Sequence, residues 1–290
     1  MANWSRQELL LALNLYLETP FGKQHKAYPP IVELARNIGR TPSAVAMKLN
    51  NLTSLDPSEK ARGIRGLTGA SKLDRMVWAE FENNREELVL EIQASLEDES
   101  SEANDRLLVS SAPNTTVREL VVKARRYQVF FRRVVLSSYG GRCCITGNPI
   151  PELLRASHII PWRTSTENRL NPQNGLCLIA TFDAAFDRGL IAISDNYRLM
   201  VSDKIKEFSD NENIKNDFLS REGNPIELPQ KNLPDQRFLK PRDNCHASGF
   251  GRDWISQKQR PQLKLKLHQL LPVLLKRLHI VVFENLFERF

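Results

Sequence analysis

At 290 residues the chain is long enough for two modest domains, each able to bury its own core. A formal net charge of +7 and a pI near 9.3 favour a polyanionic partner, although many basic proteins bind nothing acidic. The opening MANWSRQELL lacks the apolar run of a signal peptide, and no uninterrupted stretch has the length of a membrane span, so a cytoplasmic protein is expected.

Residues 1–95 read as helical. Leu9, Leu10, Leu13 and Leu17 recur with helical spacing behind Ser5, a suitable N-cap. In YPPIVELARNIGRTPSAVAMKLNNL (28–52), Ile31, Leu34, Ala35 and Ile38 make one apolar stripe, which Gly39 ends. Thr41 then caps a second helix with Pro42 at its first position, and Val45 and Leu49 give that helix a buried face. The spacing of Ala35, Gly39 and Val45 resembles the helix-turn-helix of DNA-binding proteins, whose second helix enters a major groove. That resemblance makes Ser43, Lys48 and Asn51, with Asn50, the DNA-facing candidates; a helical hairpin used only for packing is the other reading. The glycine-punctuated, cationic ARGIRGLTGASK (61–72) suits either a contact to a phosphate backbone or an ordinary surface loop.

Residues 96–116 are acidic and then rich in serine and threonine, which is linker composition. From Val117 the chain becomes a basic amphipathic helix. Arg125, Arg126, Arg132 and Arg133 alternate with Val121, Val122, Val129, Phe130 and Val134, so the helix can cover a core and lie on phosphates.

The chemistry concentrates in ASHIIPW (156–162) and NGLCLIATFDAAFDRGLI (174–191). His158 can take a proton from water near neutral pH. Asn174 follows 16 residues later, and Asp183 and Asp187 are four apart, so on a helix they share a face and can share a divalent ion. A base, a metal and basic surroundings point to metal-assisted hydrolysis of a phosphodiester.

Together with RRYQVFFRRVVLSSYGGRCCITG (125–147), these runs resemble the HNH endonuclease family over roughly residues 118–205, on the branch with a serine before the catalytic histidine. The family's ββα-metal fold would make LLRASHII the first strand, PWRTSTENRLNPQ the loop, NGLCLIA the second strand and TFDAAFDRG a helix ended by Gly189. The resemblance implies that His158 is the general base and that Asn174 pins the loop and orients the histidine strand. It implies Asp183 as a ligand for Mg²⁺ or Mn²⁺, nine residues after Asn174 where relatives carry His or Asn, with Asp187 as a second ligand. Arg188, and more weakly Arg169, would clamp the scissile phosphate. Ser157 departs from the aspartate or histidine that many relatives have before the base. Many relatives also carry two C-x-x-C pairs; here Cys143, Cys144, Cys177 and Cys245 do not form them, so no structural zinc is expected.

Beyond the motif, residues 191–202 read as a hairpin around Asp195-Asn196, and 203–260 as polar and irregular. From Pro261 the chain is strongly apolar, to be buried internally or in a homodimer. The expected whole is α+β: a helix-turn-helix-like DNA-binding domain at 1–95, a linker at 96–116, and an HNH nuclease domain at 117–290 with a C-terminal helical extension. By resemblance it would cut double-stranded DNA with a divalent metal in bacterial restriction or antiphage defence. An inactive DNA-binding regulator and an RNase-type toxin are the competing readings.

Overall fold

Side-chain caps fix where the N-terminal helices begin. Ser5 Oγ accepts from the Glu8 N–H while the Glu8 carboxylate accepts from the Ser5 N–H, a reciprocal box that starts α1 (Arg6–Glu18). Thr41 caps α3 (Pro42–Thr53), and Ser71 and Asp74 form a second box on α5 (Lys72–Asn83). Helices α2 (Pro29–Asn37), α4 (Pro57–Ala61) and α6 (Arg85–Leu96) complete this region. The turn between α2 and α3 needs its glycine: Gly39 has φ +66°, and the Arg40 N–H closes onto the Ala35 carbonyl at 2.8 Å. Leu13 and Tyr16 of α1, Val45 and Leu49 of α3, Val77 of α5 and Ile92 of α6 meet in the interior. The computed structural model describes residues 3–96 and 115–243. Most of the expected linker, Cys245 and the apolar segment from 261 with its dimer reading lie outside the described residues.

Helix α7 (Thr115–Ser138) is the spine of the second half, burying Phe130, Phe131, Val134 and Val135. It packs against α1 and α6 on one side and against a two-stranded antiparallel sheet on the other. That sheet pairs β1 (Leu154–His158) with β2 (Gly175–Ile179), with Leu154 opposite Ile179 and His158 opposite Gly175. Helix α8 (Ala180–Asp187) crosses both strands and buries Phe182, Ala185 and Phe186. A hairpin of β3 (Ile191–Ile193) and β4 (Leu199–Val201) follows, as its turn residues predict. The stretch expected to be irregular instead holds short helices α9 (Asp203–Lys206), α10 (Glu212–Asp217) and α11 (Gln236–Asp243). The architecture is α+β. Among the described residues no helix is long and apolar enough to cross a membrane.

Buried charges tie these parts together. Lys48 does not face outward, as the helix-turn-helix reading expected; it is 6% exposed, and its Nζ donates to both Asp74 carboxylate oxygens at 2.7 and 2.9 Å. The same ammonium lies 4.9 Å from the Trp4 ring. Helical spacing puts Lys48 on the flank of the Val45–Leu49 stripe, and the start of α5 covers that flank. Removing one partner strands the other charge in the interior. Asp74→Asn is therefore expected to lower the unfolding free energy by about 3–5 kcal/mol, read from urea denaturation.

A second buried lysine spans the two halves. Lys231 Nζ donates to the Tyr16 carbonyl at 2.6 Å and sits 3.2 Å from the Tyr16 ring centroid. Burial pushes its ammonium down from 10.5 to about 7; Asp56 and Glu59 oppose that shift and Arg62 adds to it. Between about 7 and 10.5 the unfolded chain holds a proton that the folded chain has lost, so this group makes stability rise with pH. Lys231→Met should flatten the slope of unfolding free energy between about pH 7 and pH 9 in parallel urea titrations. An unchanged slope would mean that Lys231 stays charged in the fold.

Candidate active site

His158 closes β1 between two aromatic rings. Its imidazole stacks on Phe131 of α7, with centroids 3.8 Å apart and planes 10° from parallel, and lies perpendicular to the Trp162 ring with centroids 5.4 Å apart. Phe131 reaches the ring because the residue opposite His158 is a glycine. A Cβ at Gly175 would lie 2.4 Å from Val135 Cγ2 and 3.1 Å from Phe131 Cζ, pushing α7 off the sheet.

The histidine Nε2 donates to the Arg169 carbonyl at 2.9 Å. A carbonyl has no proton to give, so Nε2 carries the hydrogen, and in the neutral ring Nδ1 keeps the lone pair. Burial pushes the imidazole pKa below its ordinary value of 6.5, and the Arg169 carbonyl opposes that shift. At neutral pH the ring is neutral, with one defined basic nitrogen.

Asn174 is 1% exposed, and its amide is fully engaged. Its Oδ1 accepts from the Ile160 N–H at 2.7 Å, and its Nδ2 donates to the carbonyls of Ile160 at 3.0 Å and Asn168 at 3.1 Å. Its own carbonyl accepts from the Ile159 N–H at 2.9 Å. These bonds tie the start and the end of the loop after β1 to the base of β2. Asn174 therefore holds the segment that presents the Arg169 carbonyl.

Helix α8 carries the acids. Asp183 stands half-buried in its first turn and Asp187 is exposed at its last residue, one helical turn further on. Arg188 is exposed as well, and its Nη1 donates to the Ala184 carbonyl at 3.0 Å, folding back on the helix end. On β1, Ser157 is buried and its hydroxyl has no hydrogen-bond partner among the described residues. Among those residues no three His, Cys, Asp or Glu side chains converge as a metal cage. Cys143, Cys144 and Cys177 are buried thiols, and desolvation pushes Cys177 up to about 12 and Cys144 well above its ordinary value.

The basic candidates divide. Arg132 donates to the carbonyls of Leu154 at 2.7 Å and Pro151 at 3.1 Å, anchoring the approach to β1. Arg133 pairs with Glu18 of α1 at 3.2 Å. Both therefore hold protein groups where phosphates had been expected, because α7 is covered on two sides. Arg125 and Arg126 are half-buried on the same helix. Arg169 pairs with Glu86 of α6 at 3.2 Å, and its guanidinium lies 5.3 Å from the Trp162 ring. On α3, Ser43 is exposed, whereas the Asn51 side chain lies under the loop at Gly69 and Asn50 bonds to the carbonyls of Gln24 and Ala46. Lys48 is withdrawn into the interior, as described above.

Sequence reasoning missed Phe131, Trp162 and Glu86. Trp162, four residues after the histidine, was visible within the motif; Phe131 reads as one more core residue of α7, and nothing local marks Glu86.

Residues 143–194 match the family model of the HNH endonucleases. No curated protein matches the chain. The match spans β1, the loop, β2, α8 and β3 and so includes His158 and Asn174. Residues 143–194 are an HNH endonuclease domain, set in an α+β chain whose N-terminal region is helical.

Proposed function

We propose that this protein is a divalent-metal-dependent endonuclease that cuts double-stranded DNA, with His158 Nδ1 as the general base. The observation that carries the reading is the Nε2–H bond to the Arg169 carbonyl, which leaves Nδ1 unprotonated on a desolvated ring. Nδ1 takes a proton from water as the water oxygen bonds to phosphorus and the bond to the leaving sugar oxygen breaks. Phe131 and Trp162 keep the ring from rotating, and Asn174 keeps the loop carbonyl in reach.

The donor set suits a hard cation. Asp183 offers carboxylate oxygens with Asp187 one turn on, and the buried Ser157 hydroxyl lacks a protein partner among the described residues. Mg²⁺ commonly uses one or two carboxylates, retains waters and takes the rest from substrate phosphate, so a sparse oxygen site is sufficient. When bound, Mg²⁺ or Mn²⁺ supplies charge stabilisation to the phosphate oxygens. Arg188 stands at the end of the same helix as a candidate phosphate contact. Affinity for duplex DNA is assigned to the N-terminal region through Ser43 and the loop at 61–72, which covers Asn51, and restriction or antiphage defence is the setting that this activity fits.

His158→Ala is expected to lose cleavage by a factor of roughly 10² to 10⁴ while still binding DNA, because the base acts on water and not on affinity. Supercoiled plasmid and RNA, each with and without Mg²⁺, are the substrates to compare. Plasmid that is bound but uncut by the intact protein would favour an inactive regulator, and cleavage of RNA alone an RNase. Asp183→Ala should abolish cleavage and weaken Mn²⁺ binding in calorimetric titration, with a milder effect from Asp187→Ala. Unchanged Mn²⁺ affinity in Asp183→Ala would remove that residue from the metal site.

A further inference from the structure

Glu86 belongs to the first turn of α6, in the helical N-terminal region, yet its carboxylate lies 3.2 Å from Arg169 Nε in the loop after β1. The two atoms are close without being aligned as a hydrogen bond, so the attraction is one of charge. The pair is partly sheltered, with side chains 34% and 23% exposed. The Arg169 guanidinium also lies 5.3 Å from the Trp162 ring, and Trp162 stands perpendicular to His158 with ring centroids 5.4 Å apart. Arg169 thus works at both ends. Its side chain is held by Glu86, Trp162 and a local bond from Nη2 to Thr166 Oγ1 at 3.0 Å, and its carbonyl receives the Nε2–H of His158; of the three, Glu86 is the hold that comes from the N-terminal region. The rest of the loop is secured by the Asn174 amide at Asn168.

We infer that Glu86 is a positioning residue for the nuclease reaction. By holding the Arg169 side chain, it fixes the carbonyl that sets the tautomer and orientation of His158, so the N-terminal helical region completes the active site as well as serving affinity. The inference rests on the proposed role of His158 as base. It also differs from the view of Arg169 as a phosphate clamp, in which Glu86 would compete with the substrate and its loss would tighten binding.

The test uses the full chain and the isosteric change Glu86→Gln, which removes charge without removing volume. Turnover on duplex DNA with Mg²⁺ should fall by about 10- to 100-fold with KM unchanged, as expected when a reacting group is misplaced by a fraction of an ångström or more. With ¹⁵N-labelled histidine, the His158 signals, identified among the five histidines by comparison with His158→Gln, should move from a single Nε2–H form towards a mixture of tautomers. The double variant Glu86→Gln/Arg169→Met should be no slower than Arg169→Met alone, since both changes break one chain of contacts. Wild-type turnover in Glu86→Gln, unmoved ring signals, additive losses in the double variant, or a lower KM would each overturn the inference. The ring signals keep the two ideas apart. An active His158→Ala enzyme would sink the base assignment, while a tautomer shift in Glu86→Gln would still establish that Glu86 acts on the ring.

Discussion

The close approach of α7 to the two-stranded sheet at Gly175 sets the geometry around the histidine. With no Cβ at that position, Phe131 and Val135 lie flush on β2, and the Phe131 ring extends across to His158 on the neighbouring strand. A stacked phenyl ring confines the imidazole to one plane and takes water from one of its faces. The lowered pKa follows from that burial. The Arg169 carbonyl then decides which nitrogen of the confined ring keeps its lone pair. Packing fixes the plane and a backbone acceptor fixes the proton; neither alone gives a base with one defined nitrogen.

The same economy governs the loop. Asn174 uses a single side chain to hold Ile160 at the loop's beginning and Asn168 near its end, so the intervening residues need little secondary structure of their own. The contacts across the halves also involve few groups. Tyr16 accepts from Lys231, Glu18 pairs with Arg133, the Ser137 hydroxyl donates to the Glu18 carbonyl, and Glu86 meets Arg169. Three of these four protein-side acceptors or acids lie on α1 or its C-terminal end, and the fourth is on α6, the two N-terminal helices that α7 packs against. One apolar cluster runs through both regions beneath them.

Features governed by local chemistry were legible in the sequence. The Ser5 and Thr41 caps, the Gly39 turn, the end of α8 at Gly189 and the hairpin at Asp195-Asn196 depend on residues within a few positions of one another, whereas the β1–loop–β2–α8 order was expected from the family resemblance. Lys48 was misread for the opposite reason. Helical periodicity places it beside the buried stripe, but only the arrival of Asp74, 26 residues away, turns that flank into interior. Arg132, Arg133 and Glu86 were opaque on the same ground, since their partners come from segments between 19 and 115 residues distant. Aromatic placement falls between these cases: the motif put Trp162 near the histidine, whereas Phe131 needed the register that sets Gly175 opposite His158.

Several of the cations behind the net charge of +7 are committed within the fold. Lys48, Lys231, Arg6, Arg40, Arg132, Arg133 and Arg169 all hold carboxylates or carbonyls of the protein itself. What remains directed outward near α3 is the loop between α4 and α5. Gly66 is pressed against the C-terminal half of α3, where a Cβ would meet the Asn50 carbonyl at 2.5 Å, and the Leu67 N–H bonds to that carbonyl at 3.0 Å. The loop therefore overlays Asn50 and Asn51, while Arg65, Leu67 and Thr68 are exposed on it and Ser43 and Met47 on the uncovered N-terminal half of the helix. A duplex approaching this side would meet the loop together with the first turns of α3. The surface is composite, and its cations come chiefly from the loop, so affinity and base recognition would be divided between two adjacent elements.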